Sequence, residues 1–82
     1  MYITMTSSCN SPAGKRWSGY RNIAIVEVEP GFDGTPKMIS ERARGVRRIV
    51  AYSYSVYLGS RGAGAQLLAE YERRAAELNA AS

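Results

Sequence analysis

Histidine is absent from this chain of 82 residues, and cysteine occurs once, at Cys9. The first absence removes the most frequent general base and the commonest metal ligand. The second excludes an internal disulfide. Together they leave no ligand set for an ordinary structural zinc site and no Ser-His-Asp or Cys-His nucleophile. Long apolar runs are also missing: none approaches the ~20 residues needed to span a bilayer. The opening "MYITMTSSCNSPAGKR" lacks a basic start followed by an apolar stretch, so no secretory leader is read there and a cytoplasmic location is expected. The glycine-rich "GSRGAGAQ" (residues 59–66) does not end in Gly-Lys-Ser/Thr and does not fit G-x-G-x-x-G, so no nucleotide cofactor is expected. The acids Glu27, Glu29, Asp33, Glu41, Glu70, Glu72 and Glu77 contain no convincing catalytic pair. A domain this small rarely encloses the cleft that paired-carboxylate hydrolysis needs, so the chain is not read as an enzyme.

What is present fits one small folded domain over residues 1–82, with 45% apolar residues. Residues 2–5, "YITM", are β-prone, and the Ser, Asn, Pro and Gly of residues 6–19 read as a loop. "YRNIAIVEVE" (residues 20–29) alternates, with Ile23 and Ile25 on one side and Ala24, Val26 and Val28 on the other; its density of β-branched residues predicts a buried strand. "PGFDGTP" (residues 30–36) is turn chemistry. Residues 35–46 support two readings. Thr35 can cap a helix with Pro36 at its first position and Gly45 past its end. Alternatively residues 37–44 form a strand and Gly45-Val46 a tight turn, which opposes Ile39 to Tyr52 and Glu41 to Val50; this hairpin is preferred. "RRIVAYSYSVYLG" predicts a strand with Val50, Tyr52, Tyr54, Val56 and Leu58 toward the core and Ile49, Ala51, Ser53, Ser55 and Tyr57 on the smaller face. In residues 60–81, Leu67, Tyr71, Ala75 and Leu78 recur at helical spacing behind a candidate Ser60 cap, with Glu70–Arg74 and Arg73–Glu77 as pairs four apart. The expected fold is α+β: residues 1–19 as strand and loop, residues 20–59 as a three- to four-stranded antiparallel sheet, and residues 60–81 as one C-terminal α-helix packed on it.

Charge is unevenly placed. Between residues 37 and 48 lie Lys37, Arg42, Arg44, Arg47 and Arg48 against Glu41 alone, which equals the whole net charge of +4. Guanidinium forks suit phosphate or carboxylate, so this segment is a candidate partner-binding patch; the alternative is a solvated hairpin end. "GKRW" places Lys15 and Arg16 beside Trp17, with Tyr20 and Arg21 following, an interleaving that serves base stacking or a protein hot spot unless Trp17 plugs the core edge. Tyr57 on the small face is a further docking candidate, and Arg61 in the glycine-rich stretch can assist a phosphate contact. Tyr52, Tyr54 and Tyr71 are assigned to the core.

The sheet-then-helix plan from "WSGYRNIAIVEV" to "GSRGAGAQLLAEYERRAAEL" resembles small phage anti-CRISPR proteins, and covers about three-quarters of the chain. The resemblance implies a non-enzymatic inhibitor that binds a nucleoprotein complex. The same plan is similar to the DNA-binding arm domain of tyrosine recombinases. Neither likeness shares a motif residue by residue, so no functional residue is carried over. Many anti-CRISPR proteins that imitate DNA are acidic whereas this chain is basic, which leaves a nucleoprotein or acidic protein surface as the expected partner. Direct nucleic-acid binding is the alternative, and a homodimer through a free sheet edge or the small-residue face a third possibility; no membrane partner is expected.

Overall fold

The computed structural model describes residues 1–10, 16–32, 39–58 and 63–81. Among these, strands β1 (Tyr2–Asn10), β2 (Arg16–Val28) and β3 (Val46–Tyr57) precede helix α1 (Ala63–Ala81). The sheet is antiparallel in the order β1-β2-β3. The expected α+β layout is therefore what the chain adopts, with three strands among the described residues.

β2 sits in the middle, and its β-branched run explains why. Ile23, Ala24, Ile25, Val26 and Val28 are all buried, so both faces of the strand carry core. Period two splits them into two layers. On one side Ile23 and Ile25 pack against Tyr71 and Ala75 of α1, with Leu67, Leu68 and Leu78 completing the helix stripe. On the other side Ala24, Val26 and Val28 join Met5, and Ile39 from the β2–β3 connection closes the layer with Phe32 and Tyr52 at its margin.

The helix crosses its face diagonally. Near its start, Gly64 is buried against the end of β3, where a Cβ would overlap the Tyr57 carbonyl oxygen. Near its end, the Asn79 amide brackets the outer edge of β1: Tyr2 N–H donates to Asn79 Oδ1 at 2.7 Å and Asn79 Nδ2 donates to the Tyr2 carbonyl at 2.8 Å. A side chain thus stands in for a neighbouring strand and blunts one end of that edge.

Several expectations are corrected. Residues 6–10 and 16–19, read as loop, belong to β1 and β2. Within residues 39–45 there is neither a strand nor a helix; the segment runs as successive turns, so the Gly45-Val46 hairpin is not formed. Ile39 still meets Tyr52, but by packing rather than by ladder pairing. The even alternation read along β3 also fails. Its register against β2 slips at three places, each leaving an extra residue on β3: between Arg21 and Ile23, between Ile25 and Val26, and between Glu27 and Val28. Each such bulge reverses the facing of the residues beyond it. Val50 and Val56 consequently lie with Ala51 on the helix side, while Tyr52 lies on the other. Tyr54, expected in the core, is 76% exposed.

Candidate functional site: arginine turns beside a tyrosine face

The connection between β2 and β3 is shaped by turn residues. Phe32 N–H donates to the Glu29 carbonyl at 3.1 Å across Pro30-Gly31, a type II turn in sequence and bond pattern. Ala43 N–H donates to the Ser40 carbonyl at 3.2 Å, and Ser40 Oγ accepts from Arg42 N–H at 3.1 Å. Val46 N–H donates to the Ala43 carbonyl at 3.1 Å across Arg44-Gly45, with Gly45 at φ +84°, the conformation that favours glycine at this turn position. Glu29 N–H closes the base on the Gly45 carbonyl at 2.7 Å. Ile39 points into the sheet. Arg42 and Arg44 occupy the turns outside it and are exposed, and Arg47, the extra residue of a bulge, is exposed beside them.

These cations differ in what they meet. Arg48 Nε donates to Glu27 Oε1 at 2.9 Å, joining residues that oppose each other across β2 and β3. That hydrogen bond holds the Glu27 carboxyl below the ordinary glutamate range, against a smaller upward push from burial, with the charges of Arg48 and Arg47 lowering it further. Glu41 turns to the backbone, accepting from Ile49 N–H at 3.4 Å. Among the described residues the remaining ion pair, Arg73–Glu77 at 4.0 Å, lies on the helix, and Arg42, Arg44 and Arg47 have no carboxylate within that distance. The expected Glu70–Arg74 pair is not formed; Arg74 lies over the Tyr71 ring instead, at 5.4 Å.

The described residues of the connection cover only part of their face of the sheet. The rest presents tyrosines. Tyr20 and Tyr57 oppose each other across β2 and β3, their ring centroids 5.1 Å apart. Tyr52 and Tyr54, two apart on β3, pack at 4.4 Å between ring centroids with their planes tilted by 48°. The bulge that follows Tyr54 has Ser55 at φ 52° and its N–H on Asn22 Oδ1 at 3.1 Å; Asn22 Nδ2 in turn reaches Ser7 Oγ at 3.3 Å. Strict alternation would put Tyr57 opposite to Tyr54. The extra residue returns Val56 to the helix side and leaves Tyr57 with Tyr20 on the tyrosine side. The Tyr57 ring lies along Gly19, whose carbonyl accepts from Leu58 N–H at 2.8 Å. Tyr54 at 76%, Tyr57 at 50% and Tyr20 at 37% are, with Met1, the exposed large apolar side chains among the described residues.

The sequence-derived candidates divide accordingly. Arg42, Arg44 and Arg47 gather at one end of the sheet and Tyr57 stands at the other, on the same side as the connection. Arg48 is committed to Glu27. Arg21 sits at the tyrosine end, where its Nη1 donates to the Tyr20 carbonyl at 2.8 Å. Lys15, Lys37 and Arg61 lie outside the described residues, as do the side chains of Arg16 and Trp17, whose backbone belongs to β2. Sequence reasoning missed Tyr54 because it assigned that side of β3 to the core, and no local pattern marks where the cover of that side ends. No family model matches the chain, and neither the curated proteins nor the solved structures include one that matches it.

Proposed function

We propose that this chain is a small non-enzymatic interaction protein that sets its arginine-bearing connection against a negatively charged macromolecular surface. The observation that carries this reading is the unequal pairing of the cations: Arg48 is neutralised by Glu27, whereas Arg42, Arg44 and Arg47 stand exposed with no carboxylate partner among the described residues. Like charges held together on adjacent turns repel one another, so an anionic partner gains from all three at once. A nucleoprotein or an acidic protein face supplies such a surface, and occupying it would make the protein an inhibitor of a larger complex, as the anti-CRISPR resemblance implies. The groove beside Tyr57, lined by Val56, Gly64, Gln66, Leu67 and Glu70, is open and carries one carboxylate, which suits binding better than acid–base chemistry.

Direct nucleic-acid binding is the second reading. The exposed tyrosines on the same side of the sheet favour it, because aromatic faces accept bases as readily as apolar side chains.

Retention on immobilised heparin, a sulfated polyanion, tests the common element of both readings. The folded wild type should need salt for elution, and the Arg42→Glu/Arg44→Glu/Arg47→Glu variant should pass through. Equal elution of the two proteins would remove the connection as the docking surface. Against duplex DNA, the Ala versions should lower the slope of log K with log salt by about one per arginine lost if those residues meet phosphates.

A further inference from the structure

We infer that the uncovered half of the sheet is a stacking platform for unpaired bases, so that the anionic partner is single-stranded nucleic acid running from the tyrosines toward Arg42, Arg44 and Arg47. The inference rests on the anion-docking reading and narrows it to one ligand class.

Three observations support it. First, the exposed tyrosines are held, not loose. Tyr54 packs against Tyr52 with ring centroids 4.4 Å apart and Tyr57 against Tyr20 at 5.1 Å, both tilted, and Tyr57 also lies along Gly19. Rings fixed before binding lose little conformational freedom when a base stacks on them. Second, the charge around them is permissive. Ser7, Asn22 and the tyrosines on this half carry no carboxylate, Arg21 stands at the tyrosine end, and at the other end Arg42, Arg44 and Arg47 outnumber the Glu41 carboxylate held on Ile49 N–H, so the balance of charge along the way favours a phosphate backbone. From Tyr54 to Arg47 the strand covers roughly 20 Å at ~3.3 Å per residue, a length within sites of about 4–16 nucleotides. Third, the exposed groups suit unpaired bases. Paired bases hide their flat faces in the stack, where a tyrosine ring on the sheet surface cannot reach them. Unpaired bases expose the faces that tyrosine rings stack against.

The test separates bases from phosphates. Fluorescence anisotropy at low salt compares labelled oligothymidylate of about 12 nucleotides with an abasic deoxyribose-phosphate oligomer of the same length and charge. The wild type should bind the thymidylate at least tenfold more tightly. Tyr54→Ala should weaken thymidylate binding roughly 5- to 100-fold, leave the abasic oligomer unchanged, and be rescued by Tyr54→Phe, which keeps the ring face. Because Tyr54 is 76% exposed, its removal should leave the thermal melt in place; Tyr57→Ala gives an independent reading. Equal affinity for the two oligomers, or wild-type affinity in both alanine variants, overturns the platform. If the arginine variant alone then loses binding, docking to anions stands without the tyrosines. If neither oligomer binds while heparin retention persists, the platform falls and an acidic protein surface is the remaining partner.

Discussion

The two faces of this sheet are fed by one strand and finished in opposite ways. Ile23 and Ile25 look toward a regular helix that lays a continuous stripe over them. Ala24, Val26 and Val28, one residue away in each case, look toward the connection, whose described residues cover part of the sheet through Ile39. The helix face is packed over its centre, apart from the groove where α1 starts beside Val56, and includes an internal polar contact, the Ser53 Oγ–Tyr71 hydroxyl bond of 2.8 Å. The other face stays partly open and carries both the exposed tyrosines and the arginines that have no carboxylate partner among the described residues. The contrast teaches that a layer one residue thick can be packed by a helix on one side and left partly open on the other, where the proposed recognition surface lies.

The largest effect should come from parting the helix from its face. Gly64→Val drives a side chain into the Tyr57 backbone, where nothing flexible can give way. With a total stability of about 4–12 kcal/mol for a domain of this size, the expected outcome is loss of a cooperative thermal melt. A variant that melts like the wild type would show that the helix is not seated by that approach. Next in size are the two core layers. Ile25→Ala, a fully buried truncation under the helix, should cost about 2–5 kcal/mol by chemical denaturation. Ile39→Ala should fall near the low end, about 2 kcal/mol, because turns relax into the vacated space more readily than a helix does. Equal costs would erase the distinction drawn between the faces.

Smaller still is Tyr71→Phe, which removes a hydroxyl bonded to Ser53 and should cost about 0.5–1.5 kcal/mol. The smallest is electrostatic. The Glu27 carboxyl titrates below its ordinary range in the folded chain, chiefly through its bond with Arg48, so its contribution is present above that range and is lost as pH falls through the folded value. Melting temperature should therefore drop slightly on acidification below about pH 4.5, and less in Glu27→Gln than in the wild type. An identical acid response in both would dismiss the pair as a contributor.

Much of the closed face was legible in the sequence, and much of the open one was not. The helix declared itself because Leu67, Tyr71, Ala75 and Leu78 repeat at its own period, and β2 because its β-branched residues alternate without interruption. β3 misled because alternation alone carries no mark of a bulge. Three extra residues shift the facing of Val50, Val56 and Tyr57, whereas Tyr54 stays on the side of Tyr52 and is exposed because nothing among the described residues packs over it. The connection misled for a related reason: Ile39 and Glu41 sit near the β3 residues that a hairpin would give them, but side-chain packing and a carboxylate-to-backbone bond replace the ladder. The arginine patch was visible as a local charge excess. That Arg48 would be taken by Glu27 required the cross-strand register, which no local pattern encodes.

The most direct test of the open face as the recognition face is amide chemical-shift mapping of the isotopically labelled protein during titration with oligothymidylate. The predicted result is perturbation of Tyr20, residues 40–47 and residues 52–57, with the solvent side of α1 silent. Perturbations centred on the helix, or none at any concentration at low salt, would contradict it.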